Sequence, residues 1–349
     1  MLILFFPVIA GIAQKPDYRS RMLLIEQNIS KYFRSPDPEL FKESTDTARN
    51  KNPYSYLWPV CALFQAENEM EILHPGQDLL SPLLKTINHY YNPDPPAPGY
   101  QAYVASAGKD TRYYDDNQWI GITAIDAYSR TGNKTFLELA KTISTFMMTG
   151  CDTVSGGGIY WREGDKTTKN TCSNGPGIIL SLRLYQATGR KAYLENALNL
   201  YKWTNKYLRS PEGINYDALK VKTMKIDSAT YTYNTGTMLQ SNVLFYLITS
   251  DRKYLDEAKL IAVSAEKYFY KNNRLPNNIW FNAVMLRGFI ELAKIDGNYD
   301  RLKFFALDAE RIWNELKDQN GLIGRRQVKT LIDQAAMLEI FARLEHLPN

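Results

Sequence analysis

What most constrains this chain is a repeat of paired helices. Apolar residues recur at helical spacing in segments near 20–33, 57–71, 78–91, 117–130, 134–149, 174–188, 191–207, 236–249, 252–270, 279–294, 298–317 and 331–346. Almost nothing alternates as a half-buried strand would. Successive segments resemble one another in pairs. Residues 127–140 (AYSRTGNKTFLELA) and 184–197 (LYQATGRKAYLENA) share one pattern: a helix end, a glycine suited to the left-handed C′ position, then aromatic-Leu-Glu opening a new apolar stripe. Variants recur at 248–258 and 293–302, where Ser250 and Gly297 mark the turn. Repeated helix pairs stack into an open solenoid or a closed ring, and about six pairs close an (α/α)6 barrel. The expected fold is all-α: an (α/α)6 barrel of about twelve helices in six hairpin pairs, forming a single domain over residues 14–349.

The longest links, residues 92–116, 150–173, 208–235 and 318–330, join an outer helix to the next inner one. Ring closure gathers them at one end of the barrel, where loops on a rigid scaffold tend to carry function. The first link ends in Tyr113-Tyr114-Asp115-Asp116-Asn117-Gln118-Trp119, with two adjacent acids among aromatic and amide side chains. Asp115 with Gln118 also fits a capping box, although a cap needs only one acid. The second link carries Gly156-Gly157-Gly158-Ile159-Tyr160-Trp161 and then Lys169-Asn170-Thr171-Cys172-Ser173-Asn174-Gly175. The third carries Asn215-Tyr216-Asp217, then Asp227 and Tyr231-Thr232-Tyr233-Asn234-Thr235. Singly, the glycines could make turns, and Ser173, Asn174, Asn234 or Thr235 could cap helices. Together, three inner-helix starts, after 116, 173 and 234, bring acid, amide and aromatic groups to one rim. Such a mixture suits a sugar, whose ring stacks on aromatic faces while its hydroxyls bond to polar groups. Glycoside hydrolysis generally uses two carboxyl groups.

Other chemistries find less support. The net charge of +5 is diffuse, without the basic block that tracks a phosphate backbone, which argues against nucleic acid. The triglycine lacks the Gly-Lys-Ser/Thr of a phosphate loop. Cys61, Cys151 and Cys172 are too few and scattered for a disulfide framework or a zinc site, and free thiols are expected. His74, His89 and His346 stand far apart, so neither a metal nor a cofactor is expected. The apolar start, MLILFFPVIAGIA, reads as a signal peptide cut near Ala13, although it lacks a positive n-region. It is too short to span a bilayer comfortably. The chain is accordingly read as extracytoplasmic (periplasmic, cell-surface or secreted), without a membrane span, and monomeric.

Tyr-Tyr-Asp-Asp-Asn-Gln-Trp from Tyr113, Gly-Gly-Ile-Tyr-Trp from Gly157, Lys-Asn-Thr-Cys-Ser-Asn-Gly from Lys169 and Thr-Tyr-Asn-Thr-Gly from Thr232 resemble, in this order and spacing, glycoside hydrolase family 76. The resemblance runs from about Tyr54 to Leu344. It implies an (α/α)6 barrel acting as an endo-α-1,6-mannanase on mannan backbones or manno-oligosaccharides, with retention of anomeric configuration. By the same resemblance Asp115 is the nucleophile and Asp116 the general acid/base. Retention places the two carboxyls about 5 to 5.5 Å apart. Asp116 must begin protonated, which the charge of Asp115 and burial under Trp119 would favour. The resemblance further implies substrate binding by Asn117, Asn170, Asn174, Asp227, Tyr231, Tyr233 and Asn234, and stacking by Tyr114, Trp119 and Trp161. Three alternatives stay open. The family it resembles includes fungal cell-wall proteins regarded as transglycosidases acting on a mannose-containing lipid anchor, so transfer to a sugar acceptor stays open. Another (α/α)6 enzyme, such as an unsaturated uronyl hydrolase, could use Arg112, Arg162 and Lys169 on an acidic sugar. A glycan-binding protein would keep the cleft without turnover.

Overall fold

The computed structural model describes residues 16–46 and 52–348, so the expected signal peptide at 1–13 lies outside the described residues. Twelve α-helices occupy them: α1 (Tyr18–Asn28, continued by a π-helical turn, Ile29–Phe33), α2 (Leu57–Leu73), α3 (Leu80–Asn88), α4 (Tyr114–Thr131), α5 (Lys134–Thr149) and α6 (Thr171–Thr188). Then follow α7 (Lys191–Leu208), α8 (Thr232–Thr249), α9 (Arg252–Phe269), α10 (Ile279–Asp296), α11 (Lys303–Glu315) and α12 (Leu331–Glu345). The even-numbered helices pack in the order α2-α4-α6-α8-α10-α12 and return to α2, closing an inner ring. Odd-numbered helices lie outside it, α5 on α4, α7 on α6, α9 on α8, and α1 on α12. This is the expected (α/α)6 barrel.

The two rings differ in sequence for a physical reason. An inner helix has neighbours on every side and cannot expose a polar stripe. Residues 117–125 of α4 are accordingly all buried. Outer helices are amphipathic: α9 buries Tyr254, Leu255, Ala258, Ile261, Ala262 and Ala265 at spacings of one turn. The inner ring is also tight. A Cβ added to Gly236 on α8 would stand 2.5 Å from Met285 Cα on α10, and one added to Gly288 would stand 2.7 Å from Gly236 O. Inner helices hand over to outer ones through left-handed residues, Gly132 (φ 72°) after α4 and Ser250 (φ 57°) after α8, as the repeat requires. Asn133 and Asp251 then cap α5 and α9 by accepting from the backbone N–H groups of Thr135 and Lys253.

Within the inner ring, charges occur as partners. Arg287 on α10 donates twice to Glu339 on α12, at 2.6 and 2.7 Å, and also to Gln65 on α2 at 2.5 Å. Arg343 on α12 joins Glu339 and Glu69 at 2.8 and 3.1 Å. Arg183 on α6 pairs with Glu291 on α10 and faces Asp126 on α4 at 3.4 Å, and Gln240 on α8 donates to Glu291 at 2.8 Å. Two polar chains, both rooted on α10, thus reach all six inner helices. Buried charges survive only when paired and hydrogen-bonded in this way. Among the described residues no helix is long and apolar enough to cross a membrane.

Two expectations are corrected. Strands do form: a short hairpin, β1 (Tyr91–Asn92) with β2 (Gly99–Tyr100), and an antiparallel sheet in the order β3 (Tyr160–Arg162), β4 (Asp165–Asn170), β5 (Tyr216–Lys220), β6 (Lys225–Thr230). Two links of the rim build this sheet together. Segments such as DKTTKN and KIDSAT carry no apolar alternation, because cross-link backbone pairing rather than a buried face holds them. Inner helices α4, α6 and α8 also start three to four residues before the apolar pattern does, at Tyr114, Thr171 and Thr232.

Candidate active site

This earlier start decides what the rim residues do. With α4 beginning at Tyr114, the residue before it, Tyr113, is the cap position and makes no side-chain cap bond. Asp115 and Asp116 are therefore inside the first turn, and the capping-box reading of Asp115 and Gln118 fails. The cap positions of α6 and α8 are Asn170 and Tyr231, so Ser173, Asn174, Asn234 and Thr235 are not caps either.

Corresponding positions on the inner helices then fall into rings. The second residues are Trp58, Asp115, Cys172, Tyr233, Trp280 and Ile332. Trp58 meets Trp280 edge-on at 5.7 Å, Trp280 meets Tyr233 at 6.3 Å, and the Cys172 thiol lies between the Tyr233 hydroxyl and the Asp115 carboxyl. Trp58, Asp115 and Trp280 of this ring line a pocket of about 510 Å³, within the size range of small-molecule sites. Asp115, Asp116, Trp58, Trp119, Trp280 and Phe281 line it, with Tyr56, Tyr113, Trp161 and Asp110 at its sides.

The fourth residues hold loops. Asn117 Oδ1 accepts from the Tyr100 N–H at 2.7 Å, while its Nδ2 donates to the carbonyls of Tyr100 at 2.8 Å and Tyr113 at 2.7 Å. Asn174 repeats this on Ile159 at 2.8 and 3.0 Å and on Asn170 O at 2.7 Å. Gln334 does so on Ile323 at 2.9 and 2.8 Å and on Thr330 O at 3.0 Å. Thr235 accepts from the Asn215 N–H, and Asn282 donates to Pro276 O. Asn117 and Asn174, expected to bind substrate, are fully buried and spend their amides on backbone. They staple the rim links to the barrel.

Two expected stacking platforms are also reassigned. Tyr114 is buried against Phe146, at 5.0 Å, with its hydroxyl toward Thr149. Trp119, 2% exposed, forms the floor, edge-on to Trp280 at 5.3 Å and 5.7 Å from the Arg287 guanidinium. Trp161 on β3 is 38% exposed, leans on Tyr113 at 5.0 Å, and presents a free face to the pocket. The structure brings Tyr231 (40% exposed) and Tyr233 to the same rim through Phe281, on which Tyr233 stacks flat at 3.9 Å. Asn170 and Asn234 meet at Asp217, and Asp227 lies near that group. Trp58, Trp280, Phe281, Asp110 and Asp217 escaped the expected site list. Their signal was positional: Trp58 and Trp280 hold the place that Asp115 holds in its own helix.

Both acids are half-buried and line the pocket, and electrostatics separates them. Burial pushes Asp115 up to about 6, with the Cys172 thiol, the backbone N–H groups of Asp115 and Asp116, and the Trp161 indole pulling it back. Burial and then the Asp115 charge push Asp116 well above the usual carboxylate range. The pair therefore holds one proton over a broad pH range, on Asp116. Asp115 Oδ1, Asn170 Oδ1 and Asn234 Oδ1 are buried acceptors without hydrogen-bond partners.

The nearby cations are all engaged. Arg112 clasps Glu163 at 2.6 and 2.7 Å and donates to carbonyls of the 92–97 loop. Arg162 pairs with Asp165 at 2.8 Å. Lys169 is fully buried and donates to Asp152, Val154 O and Gly157 O at 2.8, 2.8 and 2.6 Å, which explains the glycine-rich bend around it. None of the three lines the pocket. Cys61, Cys151 and Cys172 are free thiols.

Comparison with known proteins follows this geometry. The model of a family described as Glycosyl hydrolase family 76 matches residues 18–336. A solved α-mannanase of that family from Bacteroides thetaiotaomicron is 26% identical, with a TM-score of 0.87 over 94% of this chain and 95% of that one. A family 76 mannosidase from the same organism is also 26% identical, with a TM-score of 0.81 over 94% and 98%. Among curated proteins, a mannan endo-1,6-α-mannosidase of Saccharomyces cerevisiae is 26% identical over 195 residues, 48% of this chain; the match spans 43% of that protein, under half its length.

Proposed function

Because the chain belongs to glycoside hydrolase family 76, we propose that it hydrolyses α-1,6-mannosidic bonds in mannan, with Asp115 as nucleophile and Asp116 as general acid/base. The observation that carries this reading is the pair of adjacent acids at the floor of an aromatic pocket, one pushed much further up than the other. The similar solved structures are an α-mannanase and a mannosidase, and the curated relative is a mannan endo-1,6-α-mannosidase, which supplies the substrate class.

In the first step the Asp115 carboxylate attacks C1 of the mannosyl unit as the C1–O bond to the leaving chain breaks. The Asp116 carboxyl gives its proton to the departing oxygen. A mannosyl ester on Asp115 results, and Asp116 is left ionised. In the second step Asp116 takes a proton from water, whose oxygen attacks C1 and displaces Asp115. Two inversions give net retention, and both acids return to their starting states. The unpartnered oxygens of Asn170 and Asn234 accept hydroxyls of the bound sugar, and Trp161, Tyr231 and Tyr233 flank the chain on either side. Export from the cytoplasm follows from the signal peptide expected at 1–13, which would deliver the enzyme to its polysaccharide.

A uronide substrate is disfavoured by one specific observation. Arg112, Arg162 and Lys169 are each committed to a carboxylate, and the pocket is lined by three aspartates, of which Asp116 keeps its proton, and by no basic residue. An acidic sugar would meet like charge there. To test the proposal, the purified protein is incubated with unbranched α-1,6-mannan and, separately, with unsaturated uronides, following reducing ends and product lengths. Short oligosaccharides from mannan, lost in Asp115→Asn and Asp116→Asn, are expected. Binding of mannan without any released ends would establish a glycan-binding protein instead, and undiminished turnover in both variants would remove the acids from the mechanism.

A further inference from the structure

Asn170 ends β4 at the cap of α6 and Asn234 lies on α8, yet both aim their amide nitrogens at one carboxylate. Asp217 on β5 accepts from Asn170 Nδ2 through Oδ2 and from Asn234 Nδ2 through Oδ1, each at 3.4 Å. Asp217 is half-buried, and Tyr231, Cys172 and Tyr233 lie within its field, so the cluster adjoins Asp115 rather than standing apart from it. Nothing in the staple pattern requires this arrangement: Asn174 already ties α6 to its loop, and Thr235 ties α8 to Asn215.

A primary amide has a donor end and an acceptor end of nearly equal size, and in isolation either could face a sugar. A carboxylate accepts only. Facing both NH2 groups, Asp217 fixes the donor ends toward itself and turns both carbonyl ends the other way, where each is buried without a partner. A buried acceptor left unpaired destabilises the fold, so this polarity is useful only if a ligand supplies donors. Asp115 Oδ1 adds a third such acceptor in the same rim. A wall made of acceptors selects hydroxyl groups presented as donors, which a neutral hexose has, and rejects groups that can only accept, such as a carboxylate.

Resting on the mannan reading above, the geometry points to Asp217 as a positioning residue that sets the hydrogen-bond polarity of the donor-side wall through Asn170 and Asn234. Replacing it with Asn isolates this role. An amide at 217 offers one acceptor to two NH2 groups, so at least one neighbour is driven to flip and to show a donor where the sugar needs an acceptor.

The experiment measures steady-state kinetics on α-1,6-mannotriose for the parent, Asp217→Asn, Asn170→Ala and the double variant, with thermal midpoints to verify folding. KM is expected to rise about tenfold or more in Asp217→Asn with a much smaller change in kcat, and Asn170→Ala is expected to add little once Asp217 is gone. An unchanged KM, a loss confined to kcat, or fully independent effects of the two substitutions would overturn the assignment. A second readout needs neither turnover nor sugar. The side-chain NH2 signals of Asn170 and Asn234, identified by their loss in the Ala variants, should shift together with one carboxyl ionisation and stop shifting in Asp217→Asn. Separate or absent titration would overturn the clamp. If the parent acts on neither mannotriose nor unbranched α-1,6-mannan, the mannan reading fails, and the amide titration still decides on Asp217.

Discussion

Substituting Asp115 with Asn should stabilise the fold at neutral pH while abolishing turnover. The Asp115 carboxyl is displaced from 3.8 to about 6, chiefly by burial. A displacement of about two pH units corresponds to about 3 kcal/mol, reduced to about 1–3 kcal/mol because the pocket mouth admits solvent and Asp116 shares the proton. The sign follows from proton binding. Between 3.8 and about 6 the folded state holds a proton on Asp115 that the unfolded chain has already released, so the parent loses stability as pH rises through that window. Asn carries no such proton and escapes the loss. Unfolding entropy for a chain of 349 residues is about 0.7 kcal/mol/K, so the variant should melt about 1–4 °C higher at pH 7. Calorimetric scans of parent and variant from pH 3.5 to 7.5 test this. The gap should close near and below pH 4, where Asp115 is protonated in both states. A variant that melts no higher than the parent at pH 7, or a gain of equal size at pH 3.5, would refute the reasoning.

Other consequences can be checked alongside. The rate on mannan should fall on the acid side as pH drops through about 6, where the pair gains its second proton and Asp115 ceases to be a nucleophile. A rate independent of pH between 4 and 7 would contradict that charge assignment. Asn174→Ala removes bonds to the Ile159 N–H, Ile159 O and Asn170 O, and should cost about 2–4 kcal/mol by denaturant titration. Gly236→Ala forces a Cβ against Met285 Cα in the inner ring and should destabilise by about 1–3 kcal/mol, whereas alanine at an exposed position of α9 such as Val263 should change little. Trp161→Ala should raise KM for mannan by removing a face that lines the pocket, and should also lower kcat, because the Trp161 indole hydrogen-bonds the Asp115 carboxyl.

The barrel was legible in the sequence because each helix pair carries its own signal: a one-turn apolar period, a left-handed residue such as Gly132, and a cap such as Asn133. The location of the acids was legible because Asp115 and Asp116 exceed what a cap needs. The roles of the surrounding polar residues were not. Asn117 and Asn174 read as sugar ligands because their partners, Tyr100 and Ile159, lie 17 and 15 residues away and carry no side-chain signature of the contact. The first turns of α4, α6 and α8 read as loop because Tyr-Asp-Asp, Thr-Cys-Ser and Thr-Tyr-Asn have no apolar stripe, and none is needed where a helix end faces a pocket. Trp58 and Trp280 were hidden the opposite way, inside segments that look like ordinary core. The sheet β3-β4-β5-β6 joins links separated by a whole helix pair, so no local pattern announces it.

The amide staples divide each long link into a part that is tethered and a part that is not. In the first link, Tyr100 and Tyr113 are pinned by Asn117; in the second, Ile159 and Asn170 are pinned by Asn174. The stretches outside these anchor points, such as the β5–β6 turn at 221–224, hang from pedestals whose height the barrel has already set. Insertions there would remodel the outer cleft while leaving the first turn of α4, with Asp115 and Asp116, in register. The scaffold thereby separates the shape of the outer cleft from the geometry of the acid pair, and allows the two to vary independently.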